Sequence, residues 1–363
     1  VIRDLKNAIG KIPTTSWSKS MLFKNCGAFG TAVGIALGVM GVLGGCATTP
    51  PADSDASKAD SDSSDRGSVQ HQPRLTVNGG EHETLGQLVR ALGESESGGG
   101  IVLVSGLEER PTPAISLTRS AYDTGLQRLV APLNLQVLDK GTYQFILPSG
   151  YESLAALSVE DELHPDIAKR RASLALGAGT DLFNALAVIS TVLDVTVLAD
   201  NALADVWCGE LFLQDVPAAH LLNGVLQSAR VVPAAVVVES TSDYVFIRSV
   251  ANGVDPDRCL NRGAVTSGAS ALLSRRVSVR VPAGLGDDEF QYEVAPLASV
   301  LGTLSDAFGV SVEADASLHA FPVNRAHFRN MTIEDVLTLI VRQWPVPDFG
   351  FHVEEERIVF ARK

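Results

Sequence analysis

The sequence lacks nearly every spacing pattern through which site chemistry is usually written. Its seven histidines include no pair at the i, i+4 spacing of a helical metal site. Four cysteines are present, and no two form the C-x-x-C of a zinc or redox motif. Neither a G-x-S-x-G elbow nor a P-loop occurs. ESESGGG at 94–100 has no following Lys-Ser/Thr and opens no helix, so it reads as a loop. A basic surplus is missing too, since the net charge is −13. Residues 1–45 hold five basic groups against Asp4, a local +4 that leaves −17 on the remainder. Such a surface repels phosphate backbones and argues against nucleic acid as a partner.

Isolated polar residues have structural readings. Thr180 or Asp181 caps a helix that begins at once. Glu334 and Asp335 fall in a first helical turn, where carboxylates suit the macrodipole. His220 reads as a surface or half-buried structural histidine. His319 and His327 flank an expected strand, where a metal pair is the alternative. Trp207, Trp344, Phe349, Phe351 and Phe360 are expected on core faces. No catalytic set, metal or cofactor is called for.

What is present begins at the N-terminal end. The chain starts on Val1, and Met21 is the expected true start. Lys24, the apolar run 27–45 and a small-residue break describe a signal peptide. A transmembrane helix is the competing reading, but acids follow the run in place of a basic stop-transfer flank. Leu43-Gly44-Gly45-Cys46 resembles a bacterial lipobox, and the resemblance implies that Cys46 becomes the lipidated first residue of the mature protein. Ala47 stands where aspartate favours inner-membrane retention, which implies the outer membrane. Two or three acyl chains would anchor lastingly. Residues 47–73, with five aspartates among serines, cannot bury enough apolar area to fold. As a coil they reach on the order of 30 Å from the bilayer. Cys26 leaves with the signal peptide, so Cys208 and Cys259 remain, either as a disulfide in an oxidising compartment or as two thiols.

Beyond residue 74 the chain repeats itself. Leu85, Leu88, Val89 and Leu92 make an i, i+3, i+4, i+7 stripe. Leu182, Ala185, Leu186 and Ile189 repeat it, as do Leu297, Val300, Leu301 and Leu304. Each helix is followed by a strand (101–104, 195–198, 310–313), a second strand (115–118, 208–213, 321–328) and a second helix (120–130, 215–225, 330–341). Two alternating runs then read as a hairpin: 134–138 with 142–147, 234–239 with 243–248, and 348–353 with 356–361. A short strand precedes each first helix at 75–77, 174–176 and 290–294, and 275–289 adds a further strand. The order is β-α-β-β-α-β-β three times, in an α+β class. Equivalent positions lie 95–97 and then 115 residues apart, which predicts separate beads over a stacked solenoid.

The pattern resembles the short N-terminal domain of secretins and TonB-dependent transducers, also called STN or the secretin N0 domain. EVAPLASVLGTLSDAFGVSVEAD, FRNMTIEDVLTLIVRQ and FGFHVEEERIVFAR carry it best, the second unit matches well, and the first is degenerate. The expected organisation is a leader at 1–45, a lipidated tether at 46–73, STN-like domains at 74–148, 173–248 and 275–363, and linkers at 149–172 and 249–274. The first linker is expected to be partly helical and the second to be loop. The resemblance implies a periplasmic scaffold that docks secretin, pilus or secretion-system subunits, or its own copies. A TonB-type signalling adaptor touching an anti-sigma regulator is the alternative, and an envelope enzyme or small-ligand binder a further one. No pore-forming β-region or barrel follows the third unit in this sequence, which implies an accessory and not a channel.

Overall fold

The computed structural model describes residues 74–78, 83–95, 100–260, 267–281, 284–285, 291–292, 294–346, 348–354 and 357–362. All of them belong to the compact unit Ser68–Lys363. They form a mixed α+β structure with eight α-helices and several small sheets among the described residues.

The first repeat runs β1 (Arg74–Asn78), α1 (Leu85–Gly93), β2 (Gly100–Leu103), β3 (Ser116–Ala121), α2 (Tyr122–Val130), β4 (Leu135–Asp139) and β5 (Tyr143–Pro148). The short helix α3 (Pro165–Ala168) leads into the second. That repeat is β6 (Arg171–Leu176), α4 (Leu182–Leu193), β7 (Thr196–Ala199), β8 (Leu211–Pro217), α5 (Ala218–Ser228), β9 (Val236–Ser240) and β10 (Tyr244–Ser249). After α6 (Ser267–Leu273) come β11 (Arg276–Val281), β12 (Gly284–Leu285), β13 (Gln291–Tyr292), β14 (Val294–Pro296), α7 (Leu297–Phe308), β15 (Ser311–Ala314), β16 (Pro322–Asn324), β17 (Ala326–Thr332), α8 (Ile333–Arg342), β18 (Phe349–Glu354) and β19 (Arg357–Arg362).

The same pairing recurs in each repeat. The first strand and the strand before the second helix form an antiparallel ribbon: β1 with β3, β6 with β8, β11 with β17. The strand after the first helix runs parallel to the last strand, which closes an antiparallel hairpin: β2-β5-β4, β7-β10-β9 and β15-β19-β18. Side-chain caps open α1, α4 and α8, where Thr84, Asp181 and Thr332 accept from the backbone N–H three residues on. Asp194 and Gly309, both left-handed, close α4 and α7.

Each ribbon slips register by one residue near its start, between Leu75 and Val77, Ala172 and Leu174, and Val277 and Val279. In the second and third ribbons the extra residue is Asp215 or Asn330, at φ 45° and 46°. Its N–H donates to Ser173 Oγ (2.9 Å) or Ser278 Oγ (3.0 Å), and Arg171 or Arg276 donates to its carbonyl. This bulge carries β8 and β17 several residues beyond the strand ends expected from the sequence.

Three expectations are corrected. The repeat's first strand in the third unit is β11, not 290–294, because β11 pairs with β17 as β1 does with β3, while β12 and β13 pair with each other and β14 with β16. The second connection contains the helix α6, which buries Ala269 and Leu273. Nor do the repeats sit apart as beads. β2 pairs with β8, joining the first two repeats in one five-stranded sheet of order β4-β5-β2-β8-β6. The first connection is partly helical, and its Leu154, Leu157, Leu163 and Ile167 are buried in the shared core. Among the described residues no helix is long and apolar enough to cross a membrane.

Candidate interaction surface

Isolated chemistry is sparse. Among the described residues no group of three or more His, Cys, Asp or Glu could hold a metal. His319 Nε2 lies 3.1 Å from the Ala314 carbonyl, while His327 sits half-buried on β17. Leu43, Gly44, Gly45 and Cys46 lie outside the described residues, as does the tether through residue 73. Cys208 and Cys259 form no disulfide with each other, and each is buried in a different apolar cluster. Burial pushes the Cys208 thiol up to about 12, against the pull of its hydrogen bond with Ser228. A hollow of 240 Å³ touches Asp255, Arg258, Cys259, Pro345 and Phe349, and its two charged groups pair with each other at 3.6 Å. Trp207 departs from its expected core position and is 56% exposed. Its backbone bridges Asp181 at the start of α4, and the Leu182 core position next to it is already filled. Trp344 is half-buried and donates Nε1–H to the Pro322 carbonyl at 2.6 Å, and Phe349, Phe351 and Phe360 are core as expected.

The built surfaces are the seams between repeats. At the first, Leu103 N–H donates to the Glu210 carbonyl at 2.8 Å beside the β2–β8 pairing. The back of the β4-β5-β2 sheet rests on α5. A Cβ at Gly224 would stand 3.4 Å from Val102 Cγ2, and Tyr143 OH donates to Gln227 Oε1 at 2.8 Å. Thr142 Oγ1 and His220 Nδ1 are 2.6 Å apart at the rim. Arg90 of α1 grips the buried Glu210 carboxylate through two bonds, at 2.8 and 3.1 Å. Every residue of α5 except His220 is buried, which an amphipathic surface helix never shows.

The second seam uses the same elements with different chemistry. β7 meets β17 through the Thr196 hydroxyl, which donates to the His327 carbonyl and accepts from Arg329 N–H, both at 3.1 Å. Around it Asn324 Nδ2 reaches the Ala199 carbonyl (2.7 Å), and Asn252 Nδ2 bonds both the Arg342 carbonyl (2.7 Å) and Asp200 (3.0 Å). Arg342, only 1% exposed, donates to Glu239 at 2.6 Å and lies 4.8 Å over the Phe246 ring. Burial works to raise the Glu239 carboxyl, but hydrogen bonds from Arg248 and Arg342 outweigh it and hold the group below its ordinary value.

A single position separates the two seams. Counting along each first helix from Leu85, Leu182 and Leu297, Gly93 is equivalent to Ser190 and Ser305. Ser190 Oγ takes the N–H of Val197, and Ser305 Oγ takes that of Val312. Gly93 has no hydroxyl, and a Cβ there would stand 2.5 Å from Phe212 Cβ. β2 is therefore open to backbone pairing, while β7 must be approached through a side chain.

The array also has two ends. Pairing with the last strand puts Val102, Leu198 and Glu313 at one position, and Tyr143, Tyr244 and Arg357 beside Gly100, Thr196 and Ser311. β2 and β7 are buried throughout, whereas Ser311 and Glu313 of β15 are exposed. Arg357 links Glu313 (3.3 Å) to Glu354 (2.5 Å), and His352 joins Glu354 at 2.8 Å. At the opposite end α2 buries only one face and exposes Asp123, Thr124 and Arg128.

None of this geometry was singled out in the sequence, although one signal was legible there. Arg74-Leu75-Thr76, Arg171-Ala172-Ser173 and Arg276-Val277-Ser278 start the three ribbons with one Arg-x-Ser/Thr pattern. No protein-family model, curated protein or solved structure matches the chain.

Proposed function

We infer that the chain is a non-enzymatic scaffold of the bacterial envelope. It is a lipoprotein held on the periplasmic face of the outer membrane by Cys46, with tandem β-α-β-β-α-β-β domains of the STN type. These domains dock protein subunits of a secretin, pilus or secretion machine. The observation that carries this reading is the seam of β2 on β8, because the described contacts between repeats are strand addition and helix-on-sheet packing, the modes by which a sheet edge captures another protein.

Two measurements test it. Cys46→Ala should release the chain from membrane fractions, and retention of an unprocessed chain at the membrane would overturn the lipid anchor. A photo-crosslinker at Trp207, exposed beside the start of α4 and outside both ends of the array, should capture envelope-machine subunits in cells. Recovery of uncrosslinked chain, or of adducts to other copies alone, would count against the machine.

A further inference from the structure

We propose that the two ends of the array are complementary and that a second copy of this chain docks head-to-tail, β15 of one copy meeting β3 and α2 of the next. The proposal goes beyond the scaffold reading and does not depend on which machine is bound.

The argument is continuity with an interface the chain already makes. β7 receives β17 through Thr196, whose hydroxyl bridges the His327 carbonyl and the Arg329 N–H. The third repeat repeats this edge closely. Ser311 stands at the Thr196 position, and Ser305 Oγ occupies the neighbouring N–H as Ser190 does. On the first repeat, ribbon register makes Ser116 and Thr118 of β3 the equivalents of His327 and Arg329. Docking in the geometry of the second seam therefore sets the Ser311 hydroxyl between the Ser116 carbonyl and the Thr118 N–H of the next copy. Among the described residues β15 pairs only with β19, and β3 only with β1.

Charge completes the match. Within the chain, Val102 faces Gly224, and their equivalents Leu198 and Leu339 share one apolar cluster. The same two positions at the free ends are Glu313 and Arg128. Two internal apolar partners are thus replaced by a carboxylate at one end and a guanidinium at the other. Arg357 on the first face stands at the Tyr143 and Tyr244 position, which in the first seam meets α5, and α2 at the other end exposes Asp123 as well as Arg128. Opposite charges opposed in this way favour one partner and one register over a neutral patch. The contact is heterologous, so it builds rings or filaments and not a two-fold dimer.

The test uses the full chain purified in detergent and followed by sedimentation velocity at low and high salt. Wild type should form larger species as concentration rises at low salt and dissociate at high salt. Glu313→Arg and Arg128→Glu should each remain single chains, because each places like charges at both halves of the contact. Mixing the two variants restores opposed charges at every junction and should restore assembly, a result that misfolding cannot produce. A wild type that stays a single chain at every salt and concentration would overturn the proposal. So would single variants that assemble as wild type does, or a mixture that fails to assemble.

Discussion

The two seams join equivalent elements, yet the first lies wholly within the larger apolar cluster, while the second rings a smaller apolar contact with buried polar groups. A single apolar cluster runs from Leu75 to Ile247 and contains both sides of the first seam. A second cluster begins with Leu198 and Phe246, on the back of the second repeat's sheet, and extends through the third repeat. The first seam draws on apolar burial, at roughly 25 cal/mol per Å² removed from water. At the second, buried side-chain polar groups must be satisfied individually, and their desolvation cancels much of what they gain. Fold equivalence therefore does not carry energetic equivalence. The first seam should behave as the interior of one domain, the second as a contact that can open.

Arg342 is the sharpest place to break that contrast. Replacing it by alanine strands Glu239 against Arg248 alone and removes the cover from Phe246. Loss of one partner from a fully buried pair costs about 3–5 kcal/mol. The partial exposure of Glu239 and its remaining bond to Arg248 put this case at or below the lower end. We expect Arg342→Ala to lower the urea midpoint of the third repeat while hydrogen exchange at β2 and β8 stays protected. Arg342→Met keeps the bulk over Phe246 but removes the same bonds to Glu239 and the Val254 carbonyl, so it should be nearly as damaging as Arg342→Ala. If Arg342→Met instead came close to wild-type stability, cover of the Phe246 ring, and not the polar pairing, would be what holds the seam.

Gly93→Ser attacks the first seam. The new Cβ collides with Phe212, and the hydroxyl would compete for the strand edge as Ser190 does in the next repeat. Overpacking of this kind costs about 1–3 kcal/mol. The measurable signature is loss of exchange protection at Leu103 N–H, which now donates to Glu210. Unchanged protection there would show that the glycine does not decide the mode of docking.

Much of the repeat was legible in apolar spacing, since the stripes at Leu85, Leu182 and Leu297 fall on α1, α4 and α7 with the same residues buried or half-buried. Hairpin positions followed from alternation. Docking was not legible, because periodicity reports which face is buried and not what buries it. α5 and α8 read as ordinary amphipathic helices, though their second faces carry the next contact. The left-handed Asp215 and Asn330 escaped for a related reason: a bulge breaks alternation at one residue, which looks like a strand end. The alignment of second helices escaped as well. Paired strands ending at Ala121, Pro217 and Thr332 make Gly125 the partner of Leu221 and Val336, an equivalence that apolar spacing does not show because glycine carries no side chain.

Acid should separate the seams most gently, through two groups of the second. His327 on β17 titrates below its ordinary 6.5, first because it is partly buried, then because Arg329 and Arg280 repel its charged form; Asp194 opposes them. Glu239 is held below its ordinary 4.5. In both cases the unfolded chain binds the proton more readily, so stability rises with pH across the interval between the folded and unfolded values. The His327 contribution is complete above 6.5 and fades as pH falls through the lower folded value. That of Glu239 is complete above 4.5 and fades in the same direction. Exchange protection at the Arg329 N–H, bonded to Thr196 across the seam, should therefore decline in two steps on acidification. His327→Gln should remove the upper step and leave the lower one, while Glu239→Gln should do the reverse. A single step that survives both substitutions would place the acid sensitivity elsewhere and remove the electrostatic distinction between the seams.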